Sequence, residues 1–272
     1  MHPTLSTVLK KAGQFGLHGW ILAAIAAAAT LAPLLAPHDP LAVDVIHRLQ
    51  PPSWTYPLGT DALGRCLLSR LLFGARVSLG VVLGILAISF VTGTFIGGVA
   101  GYAGGLTDSL LMRLTDLFMA MPSLVVTMVL ARSLGPGPVN LIWILSLGMW
   151  PGYARMVRGM VMQAKEEHHI EVAVMAGLSR LDILGRHILP SITGPLVVMA
   201  TLGMGRNLLM TSALGFLGLG IIDPTPEWGA MLNNGATWIR SAPHLALFPG
   251  LAISVTVLAF NGLGEKLEGT KP

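Results

Sequence analysis

Charge is scarce in this sequence. Asp, Glu, Lys and Arg together make up 11% of the 272 residues, whereas hydrophobic residues make up 53%. A soluble globular domain carries about 25% charged residues, because its whole surface must be wetted. The deficit of charge therefore excludes an ordinary soluble domain and predicts an integral membrane protein. At roughly 20 residues per span, a chain of this length has room for about five to seven transmembrane helices.

Cysteine and catalytic motifs are also nearly absent. The single cysteine, Cys66, excludes an internal disulfide framework and a zinc site built from cysteines. No lysine stands in a Gly-x-x-x-x-Gly-Lys-Ser/Thr nucleotide-binding loop. Neither a nucleophile-elbow sequence nor a paired-carboxylate cluster is evident. We therefore predict that this chain is not an enzyme, and that any ATP hydrolysis driving it takes place in another chain.

The formal net charge is +4. In a soluble protein a basic balance would favour nucleic acid as a partner, but in a membrane protein basic residues concentrate in cytoplasmic loops. An even number of spans would place both termini on the same side of the membrane. Lys and Arg are then more numerous on that side than on the other. Both termini are therefore predicted to be cytoplasmic. We expect the apolar surface of the chain to contact membrane lipid, and we expect no binding of nucleic acid.

Long apolar runs without a two-residue alternation favour helices over strands. The chain is predicted to be an all-α polytopic membrane protein with six transmembrane helices. These are expected at residues 17–36, 77–101, 109–131, 139–158, 191–211 and 245–263. In the second span, spacings of small residues would allow close helix approach, although chance pairs are expected among 33 glycines. The glycines concerned are Gly80, Gly84, Gly93, Gly97 and Gly101.

Two regions follow from this arrangement. Residues 1–76 would form an N-terminal tail, the first transmembrane helix and an extracytoplasmic interfacial segment, and residues 77–272 would form the transmembrane core. From about Ala62 we expect an amphipathic helix at the interface, since the arginines there cannot lie unpaired in hydrocarbon. These are Arg65, Arg70 and Arg76.

Few charged residues fall within the predicted spans. Arg113 and Asp116 are three residues apart on the third span, close enough to pair with each other. Arg206, on the fifth span, has no acidic residue three or four positions away. Such a residue faces a bundle interior or a watery cavity, or reaches the interface from a helix end. A role in a translocation path and a structural ion pair with another helix are equally open for Arg206.

A polar segment at about residues 159–189 interrupts the apolar blocks and must lie outside the bilayer. We expect two short helices divided at Gly177. A short helix that docks into a partner needs small residues such as Ala173, a charge such as Glu171, and a glycine that ends it in a left-handed turn. His187 and Pro190 follow where the next span begins. The alternative is an ordinary solvated loop.

Metal binding is not predicted. The run Glu166-Glu167-His168-His169 lacks the i, i+4 spacing of a two-histidine zinc helix, so a solvated helix face is the better interpretation. Met199, Met204 and Met210 could form a soft metal path, but methionines at such positions more often pack in the core.

Several ordered motifs together resemble the second inner-membrane permease subunit of oligopeptide, dipeptide and nickel ABC importers, over nearly the whole chain. The motifs are Leu58-Gly59-Thr60-Asp61, Gly64-Arg65, Ser69-Arg70, Gly74 with Arg76 and Ser78, Trp150 to Arg155, Glu171 to Gly177, Phe216 to Gly220, Pro224 to Gly229, and Ala259-Phe260-Asn261. The sequence departs from the family at Cys66, where Asp is common, and in a short C-terminal tail.

The resemblance implies a type I ABC importer permease fold in a bacterial inner membrane. It implies a heterodimer with a paralogous permease, an extracytoplasmic solute-binding protein, and two ABC ATPase subunits that hold ATP and Mg, with no cofactor in this chain. The polar segment would then be a cytoplasmic coupling loop that meets the ATPase over residues 171–190, through Glu171, Ala173, Gly177, His187 and Pro190. The outer loop 223–244, with Glu227 and Trp228, and the segment 37–76 would meet the binding protein.

The resemblance leaves the substrate open among peptides, nickel and metal chelates. Two other classes of function are also open. A secondary transporter or channel would act without an ATPase, and would give no reason for the coupling-loop pattern. A membrane scaffold that transports nothing would need neither the intramembrane Arg206 nor contact with an ATPase.

Overall fold

The computed structural model describes residues 5–179 and 182–269, and most of these residues are helical. In chain order they are α1 (Leu5–Thr30), α2 (Ala32–Leu35), a short 3-10 turn (Val45–His47), α3 (Leu67–Ala103), α4 (Gly105–Ala120), α5 (Ser123–Leu134), α6 (Pro138–Lys165), α7 (His168–Met175), a π-helical turn (Ile183–Ile188), α8 (Leu189–Ser191), α9 (Thr193–Phe216), α10 (Trp228–Thr237) and α11 (His244–Gly269). Within the described residues, β geometry is limited to an isolated bridge between Thr60 and Cys66. The prediction of an all-α fold is confirmed.

Helices cover every predicted span. Among the described residues, α3, α9 and α11 are long and apolar enough to cross a membrane, and α4 with α5 adds a fourth span if this bent pair is counted as one. The apolar part of α1, Gly16–Thr30, is shorter, and α6 covers the predicted fourth span with 28 residues. The chain is therefore a multi-pass helical membrane protein.

The chain divides into two compact units. Unit 1 comprises residues 1–83, 134–141 and 201–272, and unit 2 comprises residues 84–133 and 142–200. In unit 1, α11 packs against both α1 and α10. Gly262 allows the close approach of α1, since a Cβ there would lie 2.5 Å from Nε2 of His18.

The amphipathic interfacial helix expected from Ala62 is wrong. Residues 62–66 are not helical, and α3 begins at Leu67 and runs unbroken for 37 residues. Arg65 and Arg70 are buried, with 4% and 2% of their surface exposed. Their side chains pair with Asp61 and Asp223, so they do not need the interface for solvation.

In unit 2, three glycines of α3 bring its backbone against α6. A Cβ at Gly97 would lie 2.2 Å from the carbonyl oxygen of Ala154, and one at Gly93 would lie 2.5 Å from Cβ of Tyr153. At Gly101 the corresponding contact is 2.8 Å from the carbonyl oxygen of Arg158. The small-residue prediction is confirmed at these three positions, because any side chain there would push the helices apart.

Ion pairs join α4 to α6. Arg158 donates to both carboxylate oxygens of Asp108, with Nη2 2.6 Å from Oδ2. Asp116 accepts a hydrogen bond from Arg155, so its expected pairing with Arg113 on its own helix is not what forms. The acidic residues of α4 therefore hold a neighbouring helix.

Candidate functional site

The polar segment contains a short, sharply terminated helix. Before α7, Glu167 is extended (φ −74°, ψ 137°). After it, Gly177 has φ +78°. The amide of Gly177 donates to the carbonyl of Val174 (3.0 Å), and that of Leu178 donates to the carbonyl of Ala173 (3.3 Å). This is a Schellman turn, in which glycine tolerates the left-handed conformation. The predicted division of the segment at Gly177 is confirmed.

One face of α7 is buried against α6. Ile170 and Ala173 are 1% and 6% exposed. They belong to one apolar cluster that also contains Tyr153, Val157, Val161 and Ala164 of α6, Ile183 and Ile188 of the π-helical turn, and Ile192 and Met199 at the start of the next span. Burial of such side chains contributes roughly 1.5–3 kcal/mol each. The short helix is therefore fixed to α6 and to the start of α9.

Away from its buried side, α7 presents apolar side chains to solvent. Val172, Val174 and Met175 are 50%, 55% and 77% exposed, and Leu178, just after the helix, is 42% exposed. Nothing lies within 4 Å of a Cβ built on Gly177. Contiguous exposed apolar residues outside the bilayer are typical of a docking surface.

His187 and Pro190 lie where the chain turns back towards the bilayer. Proline lacks an N–H and its ring clashes with the carbonyl four residues before it, so a regular ladder cannot form there. The ladder widens instead into the π-helical turn Ile183–Ile188. His187 is half-buried and Pro190 is exposed. Residues 180 and 181, between Gly177 and this turn, lie outside the described residues.

The charged residues around α7 pair locally. His168 lies 3.3 Å from Glu171, and His169 lies 3.2 Å from Glu167, with all four side chains largely exposed. Within residues 5–179 and 182–269, no group of three or more His, Cys, Asp or Glu side chains is placed to hold a metal ion. The side chain of Glu171 is 63% exposed, so a partner can reach it.

The base of α6 is tied to other helices of unit 2. Nζ of Lys165 donates to the carbonyl of Tyr102 at the end of α3 (3.0 Å). Together with the Arg158–Asp108 pair and the glycine contacts, this anchors α6 to both α3 and α4. A displacement of α7 would therefore move several helices of this unit together.

Arg206 lies on the surface of unit 1. Its side chain is exposed, whereas the adjacent Asn207 and Leu208 are fully buried. The helix α9 thus turns Arg206 away from the interior of this unit. The position suits contact with another chain or with a watery path, and it leaves both predicted roles for Arg206 open.

Glu227 and Trp228 are buried, with 0% and 3% of their surface exposed. Glu227 caps α10 by accepting from the amide of Ala230 (2.9 Å), and it accepts from the hydroxyl of Ser78 (3.0 Å). The indole of Trp228 donates to the carbonyl of Leu71 (3.0 Å). Burial raises the pKa of Glu227 despite these hydrogen bonds. The expected contact of these two side chains with a binding protein is therefore wrong, because neither reaches the surface.

A partly buried charge cluster in unit 1 was not predicted from the sequence. Nε of Arg65 donates to Asp61 (2.7 Å), and Nη2 of Arg70 donates to Asp223 (2.7 Å). Asn234 donates to the other oxygen of Asp223 (2.7 Å). The i, i+4 spacing of Asp61 and Arg65 was a signal for one pair, but nothing local pointed to Asp223. The cluster borders a cavity of about 180 Å³.

Two family profiles match the sequence. "Binding-protein-dependent transport system inner membrane component" matches residues 93–268, and "N-terminal TM domain of oligopeptide transport permease C" matches residues 11–52. The second match ends within the segment that follows the first span.

Curated relatives are similar over most of their length. The chain is 39% identical over 233 residues to a probable D,D-dipeptide transport system permease protein of Escherichia coli (strain K12), covering 86% of this chain and 78% of the relative. It is 37% identical over 247 residues to the nickel transport system permease protein of the same organism, covering 91% and 89%. A glutathione transport system permease protein of Escherichia coli O6:K15:H31 is 41% identical over 216 residues, covering 79% and 71%.

The family match covers well over half of the chain, and the relatives align over most of their own length. All are permease subunits by name. The chain belongs to the family of inner-membrane components of binding-protein-dependent transport systems and is a permease subunit of an ABC importer.

Proposed function

We propose that this permease forms one half of the translocation path of an ATP-driven importer, and that a separate ATPase docks on α7. The observation that carries the docking assignment is the two-faced burial of this helix. Ile170 and Ala173 anchor it, whereas Val172, Val174 and Met175 stand exposed outside the membrane. Because the buried face of α7 is packed against α6, a partner that binds the exposed apolar side chains could displace the helix without bending it.

Transmission from the ATPase would run through the apolar cluster. Because Ile170, Ile183 and Ile188 are at most 2% exposed, they leave little room for α7 to slide on α6. The helix would move with α6, and α3 would follow because Gly93, Gly97 and Gly101 bring its backbone against that helix. Within the docking element, Glu171 would offer a charge to the partner and Gly177 would end α7. His187 and Pro190 would lie where the chain returns towards the bilayer.

The remaining partners follow from the family. ATP and Mg would be held by two ATPase subunits, the second half of the path would be a paralogous permease, and a solute-binding protein would deliver substrate on the outer side. Both termini would then be cytoplasmic, on the side of α7. Segments 37–66 and 223–244 would face the binding protein through surface residues other than Glu227 and Trp228.

We propose small peptides or metal chelates as the substrate class. The names of the relatives refer to D,D-dipeptide, nickel and glutathione transport. These substrates are small, and they either carry charged groups or are coordinated by them. Nothing among the described residues of this chain singles out one of them.

The docking proposal is tested by changing the most exposed apolar side chain of α7. Met175→Glu should prevent co-purification of the ATPase and abolish ATP-dependent uptake in proteoliposomes, because a charge replaces an apolar contact that becomes desolvated on docking. Met175→Leu, which keeps an apolar side chain of similar size, is the matched control and should retain both properties.

Two results would contradict the proposal. If Met175→Glu keeps the ATPase bound and uptake coupled to ATP, α7 is not the docking element. If the wild-type chain transports substrate in vesicles that lack ATP and an ATPase, the secondary-transporter alternative replaces the importer mechanism.

A further inference from the structure

A groove lies in unit 1 at the outer end of the first span. Its volume is about 670 Å³, within the range of pockets that hold small-molecule ligands. One part of its wall is apolar and comes from helices that enter the bilayer, with Pro33 of α2, Ala36 just after it, and Phe73 and Val77 of α3. The other part is polar and contains His38, Asp39 and Thr225.

The position of the groove relative to the bilayer follows from the length of α3. A helix of 37 residues is about 55 Å long at 1.5 Å per residue, whereas the hydrocarbon core of a bilayer is about 30 Å thick. One end of α3 must therefore project beyond the hydrocarbon. The end with Arg70 and Arg76 is the polar one, so Phe73 and Val77 lie near the headgroup region.

The polar end of the groove is built rather than incidental. The ring of His38 is stacked on that of Tyr56, with centroids 4.8 Å apart, and its backbone amide is fixed by the hydroxyl of Ser69 at 3.1 Å. Nδ1 of His38 is buried with no hydrogen-bond partner among the described residues. Asp39 uses one carboxylate oxygen, Oδ1, to accept from the amide of Leu41 (2.8 Å). A fixed imidazole and a carboxylate thus share one end of the groove.

The surface around the groove is apolar. Leu34, Leu35 and Leu41 are 82%, 52% and 47% exposed. These residues continue directly from the first span, whose covering is lipid. The groove is therefore continuous with the lipid-facing surface of the protein.

We propose that this groove binds a glycerophospholipid with a primary-amine headgroup, such as phosphatidylethanolamine. The ammonium would pair with the carboxylate of Asp39, a phosphate oxygen would accept from the hydroxyl of Thr225, and an acyl chain would lie along Phe73 and Val77. Arg76 is exposed on the same helix between these two residues and adds a cation for the phosphate. The carboxylate disfavours headgroups that lack a cation. This assignment does not depend on the docking of the ATPase.

The test is native mass spectrometry of the full-length chain, purified from membranes and mixed with phosphatidylethanolamine or phosphatidylglycerol of the same acyl chains. The wild type should retain one phosphatidylethanolamine at detergent levels that remove other lipids. Val77→Trp should remove it by filling the groove. Leu83→Trp is the matched control, since Leu83 is 55% exposed on the same helix outside the groove, and it should retain the lipid.

A second variant guards against misfolding of Val77→Trp. Asp39→Asn keeps the oxygen that accepts from Leu41, and it should weaken phosphatidylethanolamine binding about tenfold, the loss of one charge-assisted hydrogen bond, while phosphatidylglycerol binding should strengthen because the carboxylate no longer repels it. Equal retention of both lipids by the wild type, or equal retention of phosphatidylethanolamine by all three variants, would overturn the proposal. Loss of binding-protein association in groove variants that still hold the lipid would identify the groove as a protein-docking surface instead.

Discussion

The guanidinium of Arg70 lies 2.7 Å from the carboxylate of Asp223, although the two residues are 153 positions apart in the chain. The pair joins the start of α3 to the loop between α9 and α10. Nη1 of Arg70 donates to the carbonyls of Pro40 (3.2 Å) and Pro224 (3.3 Å). One buried arginine therefore holds three distant segments of unit 1 together.

Removing one partner of this pair should be destabilising. Asp223→Asn removes the closest counter-charge of the buried Arg70, but the Asp223 side chain is 39% exposed and Asp61 remains 3.5 Å from Arg70, so the cost is about 1–3 kcal/mol, below that of a fully buried pair. The expected result is a clear fall in the thermal unfolding temperature of the purified protein. Asp182→Asn is the control, because Asp182 pairs with Arg186 across 3.5 Å on an exposed surface, and such pairs contribute about 0–1 kcal/mol. Similar unfolding temperatures for the two variants would show that the buried pair does not hold unit 1.

The same carboxylate predicts a dependence of stability on pH. Burial raises the pKa of Asp223, but the charges of Arg70 and Arg65 outweigh it and hold this pKa below its usual value. A depressed pKa in the folded state means that the stabilisation is present above the pKa of the unfolded chain and is lost as the pH falls through the folded-state pKa. Unfolding temperatures measured from neutral to acidic pH should therefore fall more steeply for the wild type than for Asp223→Asn. Parallel profiles would contradict this assignment.

Glu227 should behave in the opposite sense. Its pKa is raised in the folded state, so the folded protein favours the protonated carboxyl, and stability falls as the pH rises from the unfolded-state pKa through the folded-state pKa. Glu227→Gln keeps an acceptor for the amide of Ala230 and removes the charge, so its stability should be less dependent on pH. Glu227→Ala removes the cap and should cost about 1–3 kcal/mol at all pH values. Thermal scans of the three proteins across this pH range distinguish the cases, and an alanine variant as stable as the glutamine variant would exclude the capping role.

The contact between α3 and α6 should not tolerate a methyl group at Gly97. A Cβ there would lie 2.2 Å from the carbonyl oxygen of Ala154, whereas a Cβ on the adjacent Gly98 would meet nothing within 4 Å. Gly97→Ala should therefore lower the unfolding temperature and the yield of folded protein, while Gly98→Ala should be neutral or slightly stabilising, since alanine is the better helix former. Equal behaviour of the two alanine variants in size-exclusion and thermal assays would show that the helices can separate at no cost.

Gly177 should matter for coupling more than for folding. Its φ of +78° is costly for other residues, yet a Cβ there meets nothing within 4 Å, so Gly177→Ala should cost only about 1 kcal/mol. The altered end of α7 should nonetheless reduce ATP-dependent uptake, with the unfolding temperature almost unchanged. Gly194→Ala, outside the segment 171–190 at a position with equally open space and no positive φ, is the control and should transport normally. A large fall in stability with full coupling in the remaining folded protein would reverse this interpretation.

Local rules accounted for much of the fold. Apolar runs of span length predicted where the helices lie, and Gly177 predicted the end of α7 because a left-handed turn favours glycine. The predicted contact of Ala173 with the ATPase is wrong, because this residue is 6% exposed and packs in the apolar cluster with α6. Glu171 is exposed, and its predicted contact stays a prediction. The predicted interfacial helix from Ala62 is wrong because Arg65 and Arg70 pair with Asp223, a distant partner that no local pattern reveals.

Glu227 and Trp228 show the same limit. Polar and aromatic residues in an outer loop are typical of a contact surface, but here Ser78 and Leu71, about 150 positions away, supply the hydrogen bonds that allow their burial. No local pattern encodes partners at that separation.

The sequence by itself determined that the chain is helical, crosses a membrane and carries a short helix that ends at a glycine turn in its polar segment, because hydrophobicity and turn chemistry act over a few residues. The tertiary structure decided which charges are buried, which face of α7 is free and which glycines carry a helix contact. Those outcomes depend on pairs such as Arg70 with Asp223 and Gly97 with Ala154, whose energies arise only when distant segments meet.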